Sequence, residues 1–294
     1  MHRTAFIVFL IVFAPQDRYE NPVMKSLADA ERAFATMSVQ QGVRKAFFAN
    51  FAHDGIAFQP HPVVFKDAVK DRPAPANPNA VTLNWRPVAG DVSLSGDMGY
   101  TTGPYSAIDS SGKQPPRHGF YFSVWKKTPT TPWRVALDIG IRMSGPFEGS
   151  ENFRQAQPVK SSQSGFREKG FGKQELEKNI REYLSLADSK GVVTAYEDHL
   201  AKECRLHLEG HHPFVGPEII MAFFAGKEIT RTGKLLFTAV SRSDDLGYAY
   251  GSYMNLERGK ILENGYFGHV WKRNEHGSWK LVAEILSPIP PETP

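Results

Sequence analysis

A chain of 294 residues fits two ordinary domains better than one, and a hydrophobic share of 41% with 12% aromatics excludes a disordered polymer. Thirty-five Lys+Arg against 31 Asp+Glu leave a formal charge of +4. No basic run interleaved with aromatics forms a track for nucleic acid, so that class of partner is excluded. The lone cysteine, Cys204, has no disulfide partner and no zinc or redox spacing, and reads as a packed thiol.

In chain order, His2 and Arg3 precede an apolar run from Ala5 to Ala14. The run is too short to span a bilayer and suits the apolar core of a secretory signal over residues 1–14. That reading sends the processed chain to the periplasm or the outside, free of the membrane. The competing reading is a buried N-terminal strand, favoured by the short charged region and by Pro15.

The first half, 21–141, carries helical patterns around Leu27 to Met37 and Val43 to Phe51. Strand patterns follow near Val81 to Trp85, Met98 to Ile108, Phe120 to Lys127 and Trp133 to Ile141. Residues 142–172 are rich in Ser, Gly, Gln and charge without an apolar period, which predicts a polar linker. In the second half, 173–288, Leu176, Ile180, Tyr183, Leu184 and Ala187 fall at helical spacing, and the pattern stops at Gly191. A second pattern holds Val193, Tyr196 and Leu200, and Pro217 opens a third short helix. Strands are predicted over Leu235 to Val240, Gly247 to Leu256, Tyr266 to Arg273 and Trp279 to Ile285. Helices first and a meander afterwards imply an α+β fold with helices on one face of each sheet.

The halves repeat one another. Gly99-Tyr100-x-x-Gly103-x-Tyr105 answers Gly247-Tyr248-x-x-Gly251-x-Tyr253 at an offset of 148, and Val124-Trp125-Lys126 answers Val270-Trp271-Lys272 at 146. Trp133-x-Val135-Ala136-x-Asp138-Ile139 answers Trp279-x-Leu281-Val282-x-Glu284-Ile285, and His61-Pro62 answers His212-Pro213. Collinear pairs across both halves identify a tandem duplication.

The helix pair ending at Gly, the His-Pro loop, the Gly-Tyr-x-x-Gly-x-Tyr strand and the Val-Trp-Lys hairpin together resemble the nuclear transport factor 2-like superfamily. The resemblance is nearest to a bacterial branch related to ketosteroid isomerase and polyketide-cyclase-like proteins, and it covers about residues 24–141 and 173–287. It implies two cones, each a bent antiparallel sheet wrapped on helices with a pocket at the open end. Members of the superfamily pair with sheets back to back, so the tandem chain is expected to form a pseudo-dimer within itself, with homo-oligomers through sheet faces as a further expectation.

Candidate site residues follow from the last two strands. Plain alternation puts Trp133, Val135, Leu137 and Ile139 on one face and Arg134, Ala136 and Asp138 on the other. Asp138 and its counterpart Glu284 are the candidate general bases or ligand anchors, against the alternative of a carboxylate merely paired with a nearby Arg or Lys. Tyr121 and Ser123, with His269 opposite Ser123 in the second half, face either the cavity or the sheet interface. His61 and His212 sit in the His-Pro loops that the resemblance sets near the pocket mouth, where a turn packed on proline is the competing reading. Tyr100 and Tyr248 offer hydroxyls to an oxyanion, as in related isomerases, against a packing role.

His207-x-Glu209-x-His211, with His212 adjacent, supplies zinc-type ligands on one strand face, but the first half has no such set and Gly210 marks the strand end, so no metal is expected. No nucleophile elbow, phosphate-binding glycine loop or dinucleotide fingerprint is present, and no cofactor is expected. Three functions remain: a binder of a small apolar or aromatic molecule; an isomerase, dehydratase or cyclase with a pocket carboxylate as base; or a structural module that assembles through its sheets and has filled cones.

Overall fold

Asn21 starts the first helix, its side-chain oxygen accepting from the Met24 N–H at 2.8 Å with Pro22 at the first turn. Gly42 ends it at a φ of 84°, a left-handed conformation that costs glycine little, and Gly191 does the same at 91° in the second half. The computed structural model describes residues 17–19, 21–73, 75–149, 152–156 and 171–290; the apolar run at 1–14 lies outside them.

The first half runs α1 (Pro22–Gln41), α2 (Val43–Asn50), β1 (Phe51–Phe58), β2 (Pro62–Val64), α3 (Phe65–Lys70), β3 (Val81–Trp85) and β4 (Ala89–Val92). Then come β5 (Met98–Asp109), β6 (Arg117–Thr128), β7 (Thr131–Met143) and β8 (Arg154–Gln155). The second half runs α4 (Phe171–Ser189), α5 (Val192–His199), β9 (Leu200–Leu208), β10 (Phe214–Val215) and α6 (Pro217–Phe224). It closes with β11 (Ile229–Val240), β12 (Leu246–Glu257), β13 (Lys260–Arg273) and β14 (Trp279–Pro288). The sheet orders are β2-β1-β7-β6-β5-β4-β8, with β3 also on β5, and β10-β9-β14-β13-β12-β11.

Two expectations change. The helices do not all precede the strands, because β1 and β9 leave the second helix of each half and pair in parallel with the last strand. The segment after residue 141 is not wholly a linker either. Arg142 and Met143 finish β7, Arg154 and Gln155 add to the first sheet beside β4, and Phe153 is buried against Tyr19 at 5.1 Å. Phe153, with Phe147 packed on Phe120 at 5.1 Å, anchors a segment whose composition is largely polar.

The helices pack into the concave side of each sheet. Met24, Leu27, Phe34 and Ala46 meet Trp125, Trp133 and Val135 in the first half, and Leu176, Ile180 and Tyr183 meet Phe267, Trp271 and Leu281 in the second. The convex faces meet each other: Phe120, Phe122, Leu137 and Ile139 share one buried cluster with Leu246, Val270, Ala283 and Ile285. This is the expected pseudo-dimer, and it buries both sheet faces within one chain.

The two β-turns at its edge contact reciprocally. Ser95 N–H donates to Ser243 Oγ at 3.0 Å and Ser243 N–H to Ser95 Oγ at 3.2 Å. Leu94 N–H donates to Asp245 and Arg242 N–H to Asp97. Such exchange of equivalent contacts is the mark of an isologous interface.

Candidate functional site

A β-bulge aims the site. Val124 pairs with Leu137 and Trp125 with Val135, so Ala136 is an extra residue on β7. In the second half Val270 pairs with Ala283 and Trp271 with Leu281, making Val282 the extra residue. A bulge reverses the alternation beyond it. Trp133, Val135 and Asp138 therefore point into the cone, whereas Leu137 and Ile139 lie in the interface, which corrects the face assignment made from plain alternation.

The first cone holds a cavity of about 330 Å³. Phe47, Phe58, Leu83, Trp85, Tyr105 and Tyr121 form its aromatic and aliphatic wall, Asp138 and Gly140 its β7 side, and the exposed Arg117 and Arg142 its open side. Asp138 accepts a hydrogen bond from Ser123 Oγ at 2.6 Å. Burial pushes its carboxyl up to about 6, and the Ser123 bond restrains the rise.

Behind the wall sits a second carboxyl that the sequence reading passed over. Glu31 on α1 is fully buried and accepts from Trp85 Nε1 at 2.6 Å, Trp125 Nε1 at 2.8 Å and Thr101 Oγ1. Burial pushes it up to about 7, against the three donors, and the Asp138 charge pushes the same way. Among the described residues, no Lys or Arg is in ion-pair range of Glu31 or Asp138. Tyr121 Oη is buried beside Thr101 and Glu31, and no hydrogen bond of good geometry reaches it.

The second cone is filled at the same place. Glu284 is fully buried and ion-paired with Arg231 at 2.9 Å, and it accepts from Tyr183 Oη at 3.2 Å and Tyr196 Oη at 2.6 Å, with His269 Nε2 at 2.9 Å. Burial opposes its ionisation, yet Arg231, His269 and Tyr196 outweigh it and hold the carboxyl at about 2. Burial keeps His269 below its ordinary value. Arg231 faces Asn255 on β12 where the first half sets Leu83 against Ala107, and Leu286 pairs with Phe267 where Gly140 pairs with Tyr121. A guanidinium and an isobutyl group thus occupy what the first cone leaves open.

The other predicted residues go elsewhere. Tyr100 and Tyr248 lie in the interface between the sheets rather than in a cone, because they alternate with the cavity-facing positions of their strands. His61 Nδ1 reaches Tyr266 Oη of the other half at 2.8 Å, and His212 rests 6.2 Å from the Phe147 ring, so both His-Pro loops brace the halves against each other. Ser123 lies under Asp138, and His269 under Glu284.

His207 is buried, stacked on Phe120 at 5.3 Å and 3.3 Å from Thr102 Oγ1. Glu209 instead pairs with Arg142 at 2.7 Å, and His211 packs on Phe223. Among the described residues these three side chains form no group that could hold a metal ion.

No protein-family model matches the chain, and no curated protein matches it. Solved structures similar to it include an NTF2-like protein with a cystatin-like fold from Novosphingobium aromaticivorans, at 16% identity over 42% of this chain and 84% of that one, with a TM-score of 0.35. An NTF2-like superfamily protein from Salmonella enterica aligns at 19% identity over 43% and 96%, with a TM-score of 0.36. A cystatin-like protein of unknown function from Nostoc punctiforme aligns at 13% over 40% and 92%, at 0.32. The elements and their pairing give two cones, each a sheet packed on its own helices.

Proposed function

We propose that the first cone binds a small, largely aromatic molecule that presents a polar group to Asp138 and Tyr121. The observation that carries this is a cavity of about 330 Å³ holding a carboxyl pushed up to about 6 and a buried phenol with no partner. Small-molecule sites run from about 300 Å³ upward and combine an apolar wall with a few convergent polar groups. An unpartnered buried hydroxyl costs stability unless something pairs with it, and a carbonyl or hydroxyl on the ligand does so. The second cone, filled by Arg231 and Leu286, serves as the supporting half. In the same proposal the apolar run at 1–14 exports the chain, and recovery of native protein beginning at Met1 would remove that part.

Native mass spectrometry of the purified chain tests the binder. The expected result is an adduct of a few hundred daltons, and affinity for that molecule reduced about five- to tenfold in Tyr121→Phe, the loss of one hydrogen bond. No adduct, together with no thermal shift across a panel of aromatic metabolites, overturns the proposal.

A second reading has its own support. A carboxyl at about 6 sits where a general base is efficient, and Tyr121, which lines the same cavity, is the candidate donor to a developing oxyanion in an isomerase or dehydratase reaction. Solvent deuterium incorporation into the bound molecule, abolished in Asp138→Asn, distinguishes this reading from plain binding.

A further inference from the structure

On one edge of the pseudo-dimer the two halves leave a second cleft, of about 500 Å³. Arg18, Arg154, Lys202 and Arg205 line it, and among the described lining residues Glu203 is the one carboxylate. The three arginines stand on paired backbone. Arg18 bridges Arg154, donating to Phe153 O at 3.0 Å and accepting from Gln155 N at 3.3 Å. Arg154 extends the first sheet beside Ala89, and Arg205 lies between Val215 and Ala283 in the second sheet. Both halves therefore deliver cations to one cleft from strand-paired backbone.

Structural packing does not account for this set. Among the described residues no carboxylate reaches ion-pair distance of any of the four cations. Arg205 is largely covered, and burial together with the charge of Arg154 pulls its guanidinium down, with Glu203 opposing. The duplication supplies an internal comparison: Ile56 pairs with Leu137 as Arg205 pairs with Ala283, and Ile56 packs against the apolar interface. The chain thus carries a guanidinium where its own duplicate carries an isoleucine. Among the described residues the second sheet has no strand equivalent to β8.

We infer that this cleft binds a small multivalent oxyanion, a phosphate- or polycarboxylate-bearing molecule gripped by Arg154 and Arg205 from opposite halves. Forked guanidiniums match such oxygens two at a time, and a ligand of charge −2 or more relieves the repulsion among four cations. The site is separate from the first cone and does not depend on what that cone binds.

The test is calorimetric titration of the whole chain with inorganic pyrophosphate and, in a second arm, with citrate, at about 150 mM NaCl so that long-range attraction is screened. Saturable binding of one anion per chain is expected, with the stronger arm naming the oxyanion class. Arg154→Met and Arg205→Met are each expected to weaken it at least about tenfold. Lys178→Met, which removes an exposed charge on α4, is expected to leave it within about twofold. Arg154 is exposed and enters its sheet through the backbone, so that variant decides the matter if Arg205→Met fails to fold. Absence of binding in both arms overturns the inference, as does binding that survives both arginine substitutions or that Lys178→Met weakens equally.

Discussion

Asp138 and Glu284 stand at the same point of the two halves, each two residues beyond a bulged residue, yet only Glu284 has a guanidinium against it. One scaffold thereby holds a carboxyl at about 6 in an open cavity and its duplicate at about 2 in a filled one. The difference in the carboxyls traces to the neighbours, Arg231 for Leu83, His269 for Ser123 and Tyr196 for Phe47, and the difference in space to Arg231 for Leu83 and Leu286 for Gly140.

Removing the guanidinium should therefore damage the second half far more than its surface would suggest. Arg231→Met leaves Glu284 buried without a counterion, and the expected loss is about 3–5 kcal/mol in urea unfolding, with Arg231→Met/Glu284→Gln recovering most of it. Because the folded carboxyl lies below its ordinary 4.5, its stabilisation is present above about pH 4.5 and fades as pH falls toward 2. A single substitution as mild as the double one would mean that the pair is not the centre of that core.

Glu31 predicts the opposite slope. Its folded carboxyl at about 7 lies above its ordinary 4.5, so between those values the folded chain holds a proton that the unfolded chain has released, and stability falls as pH rises. The span corresponds to about 3 kcal/mol. Glu31→Gln removes the titration; its one oxygen accepts from one indole while the other indole, which donates to the second carboxyl oxygen, then faces the amide nitrogen, a loss that does not depend on pH. Between pH 4.5 and 8 the stability of the parent should fall relative to that of the variant by about 3 kcal/mol, and parallel curves would contradict the buried neutral acid.

Acid sensitivity should reside at the interface between the halves. Burial holds His207 down to about 3, so the unfolded chain takes up a proton below 6.5 that the folded chain refuses, and stability is lost as pH falls from 6.5 toward 3. His207→Phe keeps a flat ring on Phe120 and gives up the Thr102 contact. Comparing melting temperatures at pH 7 and pH 4, the drop in the parent should shrink in the variant; an equal drop would assign the sensitivity elsewhere.

The duplication and the strand-end carboxylates were legible in the sequence because paired motifs keep their order and spacing. The face those carboxylates take was not, because one extra residue at Ala136 or Val282 changes the alternation without changing the composition. Glu31 left a weak signal: it occupies the apolar stripe of α1 between Leu27 and Phe34, where a charge is out of place. Arg231 left a similar one, a cation ahead of the predicted strand, but its partner lies 53 residues away, and only the folded sheet brings the two together. Tyr100 and Tyr248 misled because a strand tyrosine reads alike whether its ring faces a cavity or a second sheet.

The cavity itself can be closed with the duplicate's own residue. A Cβ added at Gly140 meets nothing nearer than Tyr105 Cε1 at 3.6 Å and Phe120 O at 3.7 Å, so a larger side chain enters the cavity without forcing the backbone. Gly140→Leu copies Leu286, which already packs into the second cone. Filling apolar space and relieving a mid-strand glycine should raise stability by about 0.5–2 kcal/mol while abolishing the co-purified adduct. Thermal melts and native mass spectra of the same preparation read both effects. A variant that melts higher and still carries the adduct would move the binding site out of the first cone.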